Sequence, residues 1–112
     1  MVDFNPRFQI DAFKPKFDFN EVRFGGNHSE NTKKFANDIH QEIQNSLAKQ
    51  GIDAKVVVNA GFKEGQPILY ITAYDNGKSV IKDAESTLQN NLLDGASLTF
   101  TDHNSAEIIL RE

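Results

Sequence analysis

The chain has 112 residues, 38% of them hydrophobic and 25% charged, with a formal net charge of −4; by length this is one domain with a core of modest size. No window approaches the ~18 consecutive apolar residues of a membrane span, and no basic region followed by an apolar stretch marks a signal peptide. There is no cysteine, which excludes disulfides, thiolate catalysis and cysteine-ligated zinc, and a cytoplasmic location is the expectation.

Six of the nine phenylalanines fall in the first 24 residues. Phe4-Asn5-Pro6-Arg7-Phe8 is followed by a second copy of the same phrase, Phe13-Lys14-Pro15-Lys16-Phe17, and by a looser third one, Phe19 to Phe24. Pro6 and Pro15 forbid a helix interior and push the residues before them toward extended backbone. In an extended chain, residues of one parity share a face. Phe4, Phe8 and Ile10 are even, Phe13, Phe17 and Phe19 odd, and Val22 and Phe24 even again, so bends must interrupt the stretch. The spacing predicts an extended arm over residues 1–16 and a strand from Lys16 to Phe24 that opens a single domain over residues 17–112.

Gly25-Gly26-Asn27 breaks that strand. Ser29 or Asn31 can cap the helix that follows, and Glu30 suits its positive end. Phe35, Ile39, Ile43 and Leu47 recur every fourth residue, which predicts a helix from Asn31 to Gln50 buried on one face and stopped by Gly51. Ala54 to Ala60 and Ile68 to Tyr74 read as strands of a hairpin, rich in β-branched and aromatic residues, with residues 61–67 as the loop between them. The face formed by Leu69, Ile71 and Ala73 is wholly apolar. Asn76-Gly77 signals a type I′ turn. After it, a short strand over Lys78 to Ile81 competes with a helix that begins near Ser79. The former is preferred, with the second helix capped by Asp83 and running to Leu93. Strands over residues 96–101 and 106–111 close the chain as a hairpin. The whole predicts an α+β fold: an antiparallel sheet with two helices packed on one face, preceded by the Phe-rich arm.

Little in the sequence points to chemistry. His28, His40 and His103 show no H-E-x-x-H spacing and no partner one turn away, and all three read as solvated surface histidines. No serine stands in a G-x-S-x-G elbow, and no metal or cofactor is expected. The helix, three-strand, helix order of residues 31–93 is similar to that of a double-stranded-RNA-binding domain, but Asp83, Glu85 and Asp94 stand where such domains present lysines to phosphate. With an acidic body as well, nucleic acid is an unlikely partner.

Two readings remain. In the first, the repeat is a docking segment for a protein partner, including a second copy of the chain, with the arm folding back over its own sheet to finish the core as the equally weighted alternative. Phe4, Phe8, Phe13 and Phe17 supply anchor rings, the prolines limit the entropy lost on binding, and Arg7 and Lys16 meet acidic surface. In the second, Gly25, Gly26, Asn27 and Ser29 at the start of the first helix, with Lys33 and Lys34, hold a small anion. The first is preferred: a non-enzymatic interaction or assembly module.

Overall fold

The computed structural model describes residues 21–102 and 104–111. The predicted arm and the Lys16 to Asn20 part of the first predicted strand lie outside the described residues. In chain order the elements are β1 (Val22–Phe24), α1 (Glu30–Lys49), β2 (Lys55–Lys63), β3 (Gln66–Asp75), β4 (Lys78–Ser79), a 3₁₀ turn (Ile81–Ala84) leading directly into α2 (Glu85–Asn90), β5 (Ser97–Phe100) and β6 (Ala106–Ile109). The fold is α+β. One sheet has the order β1-β2-β3-β6-β5, with β4 paired to the far end of β3, and both helices contribute to the core on one face of that sheet.

All the contacts between strands are antiparallel except one: β1 runs parallel to β2, with Val22 opposite Val58 and Phe24 opposite Ala60. The sheet is thus mostly antiparallel, as expected, with one parallel edge. The chain needs the whole of α1 to cross from β1 to β2, and a helical crossover returns it in the same direction. The sheet also departs from the three-strand order noted above, because β6 is the neighbour of β3 over Ile68 to Ile71. β4 contributes two residues only.

α1 forms where the apolar stripe is. Phe35, Ile39, Ile43 and Leu47 are all buried, with Ala36 and Thr32. Ser29 is its cap, the Oγ accepting from the Thr32 N–H, so the helix opens one residue earlier than predicted. At the other end Gly51 adopts φ +80°. The Ile52 N–H reaches the Leu47 carbonyl at 2.9 Å and the Gly51 N–H the Ala48 carbonyl at 3.0 Å, the two bonds of a Schellman stop.

The β2–β3 hairpin is longer than the sequence suggested, because residues 61–63 and 66–67 continue the pairing and only Glu64 and Gly65 turn. Both have positive φ, 53° and 82°, the geometry of a type I′ turn that matches strand twist. Pro67 is tolerated inside β3 because the β6 register ends at Ile68–Ile109. Pro67 stands opposite Leu110 at the end of that pairing, where its carbonyl accepts from the Leu110 N–H, so its missing donor removes only the return bond of the last rung. Asn76 and Gly77 form the predicted type I′ turn, with φ of 53° and 80°.

Three boundaries need correction. The strand after that turn stops at Ser79, and the Val80 N–H bonds back to the Ala73 carbonyl. Asp83 does not cap the second helix; it sits inside the 3₁₀ turn, and neither Val80 nor Ala84 offers a side-chain cap. Burial of Val80, Ile81, Ala84 and Leu88 in the core sets that segment's direction, and packing overrides the local capping preference. α2 ends at Asn90, three residues short of Leu93, where Asn90 and Asn91 favour the helix poorly.

The core lies between α1, α2 and one face of the sheet. It holds the predicted helix face Phe35, Ile39, Ile43 and Leu47 and the apolar strand face Leu69, Ile71 and Ala73, together with Val56, Val58 and Leu88. Of the described residues of the third Phe repeat, Val22 joins it. Phe24 stays 37% exposed.

Candidate functional site

Two of the three histidines are not at the surface, which corrects the sequence reading; His103 lies outside the described residues. His28 is 8% exposed and His40 3%. His40 occupies the 36-40-43-47 row of α1, the row that faces the sheet. Its Nε2 lies 2.9 Å from the Val56 carbonyl and 3.1 Å from Glu21 Oε1. Both neighbours are acceptors, so Nε2 carries the proton and donates to both. Val56 stands on β2 two residues before the β1 register begins, so His40 serves a strand carbonyl that β1 is too short to reach. The same nitrogen fixes Glu21, the residue at which the ring-rich stretch joins the domain. The signal for His40 was present in the sequence: four residues after Ala36 and three before Ile43, it falls on the buried row.

His28 sits in the glycine turn. Its ring stacks on Phe62 with centroids 4.4 Å apart and planes 3° from parallel, and Phe24 meets it at an angle from 6.1 Å. Nε2 donates to the Gly25 carbonyl at 2.9 Å, while buried Nδ1 has no hydrogen-bond partner among the described residues. No local spacing announces this arrangement, since Phe62 approaches from a different strand.

The residues of the anion reading are near one another in sequence, but each described contact has a structural purpose. The Gly25 N–H donates to the Ala60 carbonyl at 2.8 Å. Gly26 has φ +89°, and a Cβ there would lie 3.0 Å from the Phe62 ring, so glycine is what lets the turn pass under the His28–Phe62 stack. Ser29 is occupied as the helix cap. Lys33 pairs with Glu30 at 3.5 Å and Lys34 with Asp38 at 2.6 Å. A hollow of 360 Å³ does adjoin Ser29 and Thr32, but Arg111 and Asp94 line it together, and their charges oppose. Asn27 is exposed in the same turn.

Gly26→Ala is therefore expected to lower stability by about 1–2 kcal/mol, from a left-handed backbone no longer suited to its residue and from displacement of the Phe62 ring. Thermal unfolding of the variant measures it, and an unchanged melting temperature would contradict the ring-packing role.

A different feature stands on the helical side. Between α1 and the segment after α2 runs a groove of 310 Å³. Phe35 and Ile39 form its floor, Leu93 (46% exposed) stands across from them, and the carboxylates of Asp38 and Glu42 line its edge. Asp38 and Glu42 are one helical turn apart and so lie on the same side of α1. No lysine or arginine lines this groove among the described residues. The partner-binding residues read from the sequence, Phe4, Arg7, Phe8, Phe13, Lys16 and Phe17, lie outside the described residues.

Among the described residues no group of three or more metal-ligating side chains is assembled, and no helix is long and apolar enough to cross a membrane. The described residues define a small two-layer α+β domain, with buried histidines at the seams between its layers and an acid-edged apolar groove on its helical side. Comparison with known protein families, with curated proteins and with solved structures finds no match to this chain.

Proposed function

We propose that this protein is a non-enzymatic assembly module in which residues 1–17 dock onto another protein, a second copy of the chain in the leading case. The observation that carries the reading is the repeat itself, two rings spaced around a proline and a basic residue, twice, within the first 17 residues. Each phenylalanine has a large apolar area to bury. Rings of that size require apolar surface on their own or another molecule, and a proline-stiffened segment loses less entropy in finding it. The body of the domain is acidic, carrying the whole −4, whereas the first 24 residues balance Asp3, Asp11, Asp18 and Glu21 against Arg7, Lys14, Lys16 and Arg23. Both described histidines are tied into the fold by the contacts above, and neither leads to a catalytic reading.

Substituting Phe4 and Phe8 by serine tests this. The variant is expected to keep the melting temperature of the parent and to fall to a smaller species by light scattering. Loss of stability with no change of mass would mean that the rings complete the chain's own core, and the assembly reading would fail.

A further inference from the structure

Resting on that reading, we propose that the receptor for the arm is the groove between α1 and residues 91–93, and that its occupant is a Phe-x-Pro-basic-Phe segment from a second copy of the chain. Three observations support the assignment.

The first is charge. Residues 4–8 and 13–17 contain Arg7, Lys14 and Lys16 and no acid. The groove is edged by Asp38 and Glu42 and lined by no cation among the described residues. The other side of the sheet, away from the helices, has exposed Tyr70 and Tyr74 but mixes its charges, with Lys55 opposite Tyr74, Arg23 opposite Asn59 and Glu107 opposite Tyr70, a poorer match for a basic motif than an edge of carboxylates alone. Asp38 is held by Lys34, but both partners are largely exposed, and a surface pair of that sort exchanges readily for an arginine fork.

The second is shape. Leu93, 46% exposed, is the apolar side chain a ring can cover there, beside the buried Phe35 and Ile39. The carboxylates, one helical turn apart, are placed to receive a basic side chain between two rings.

The third is reach. His40 binds Glu21 on the sheet side of α1, and Phe35, Asp38 and Glu42 lie about half a turn round the helix from it. Phe17 is four residues from Glu21, about 14 Å of extended chain. Residues 4–8 have the length to reach the groove of their own molecule, whereas the path round a helix about 10–12 Å in diameter is about as long as the stretch from Glu21 to Phe17, so residues 13–17 reach it only when fully extended. In a neighbouring molecule they meet no such limit. Reciprocal exchange closes a two-fold dimer with two identical arm–groove contacts.

Charge reversal on the full chain tests the pairing. Asp38→Lys with Glu42→Lys reverses the groove, Arg7→Glu with Lys14→Glu and Lys16→Glu reverses the arm, and a third protein carries both sets. These three proteins, the parent and Phe4→Ser/Phe8→Ser are read by light scattering, with circular dichroism melts to verify that each protein is folded. The parent is expected at twice the 12.6 kDa chain mass, each single reversal at the mass of one chain, and the combined protein back at twice it. If the groove reversal leaves the mass doubled while Phe4→Ser/Phe8→Ser halves it, the arm reading stands and the groove is the wrong receptor. If both single reversals halve the mass and the combined protein stays halved, direct pairing of these charges is overturned. A parent at the mass of one chain removes the assembly reading and this one with it.

Discussion

Ile71→Ala is expected to lower the unfolding free energy by about 2–5 kcal/mol, the usual range for truncating a fully buried aliphatic side chain. Ile71 has no exposed surface and lies at the crossing of three strands, opposite Val58 on β2 and Ala106 on β6. Its neighbours on the same face, Leu69 and Ala73, are buried as well, so a smaller side chain leaves a cavity that rigid strands on both sides cannot close. Ile43→Ala, on the helix that covers this face, should act with similar size, since Ile43 is equally buried. Urea titration gives both values. Midpoints for both variants within error of the parent would contradict the helix-on-sheet core.

The second large effect is expected at His40. Alanine there removes the donor shared by the Val56 carbonyl and Glu21 and opens a space between α1 and β2. The stranded buried acceptor alone costs about 1–3 kcal/mol, and the lost packing adds to it. His40→Gln retains a side-chain N–H of similar reach and should recover part of the loss. Equal destabilisation by alanine and glutamine would show that the imidazole serves by filling volume rather than by donating a hydrogen bond. Because Glu21 is held by the same nitrogen, the alanine variant should also make the chain just before β1 more open to proteolysis.

The parts of the fold legible in sequence were those governed by period and by turn chemistry. The four-residue recurrence from Phe35 to Leu47 marked α1 to within a residue at each end, and Gly51 and Asn76-Gly77 marked a helix stop and a hairpin because few other residues tolerate the backbone those positions need. The β2–β3 loop was misread for the converse reason. Two glycines and a proline within seven residues look like a long loop, yet Gly61 and Pro67 fit the ends of the pairing and only Gly65 is needed for the turn. The parallel entry of β1 and the place of β6 beside β3 are long-range choices, for which local patterns carry no information.

The same division holds for the candidate site. His40 was readable from its position on the buried helical row, but attention to metal spacing hid it. The stacking of His28 on Phe62 joins residues 34 apart in the chain, and nothing near either residue signals it. The groove combines α1 with a segment that the sequence assigned to the second helix. Leu93 is exposed there because the helix stops at Asn90, so the groove became visible only once that boundary was known.

The central claim is that the arm joins molecules, and the solution mass of the full chain tests it most directly. Light scattering over a range reaching high micromolar concentration should give a mass above 12.6 kDa for residues 1–112. A version beginning at Lys16 should fall to the mass of one chain while melting as the parent does. A full-length chain that stays at 12.6 kDa throughout that range would contradict the account.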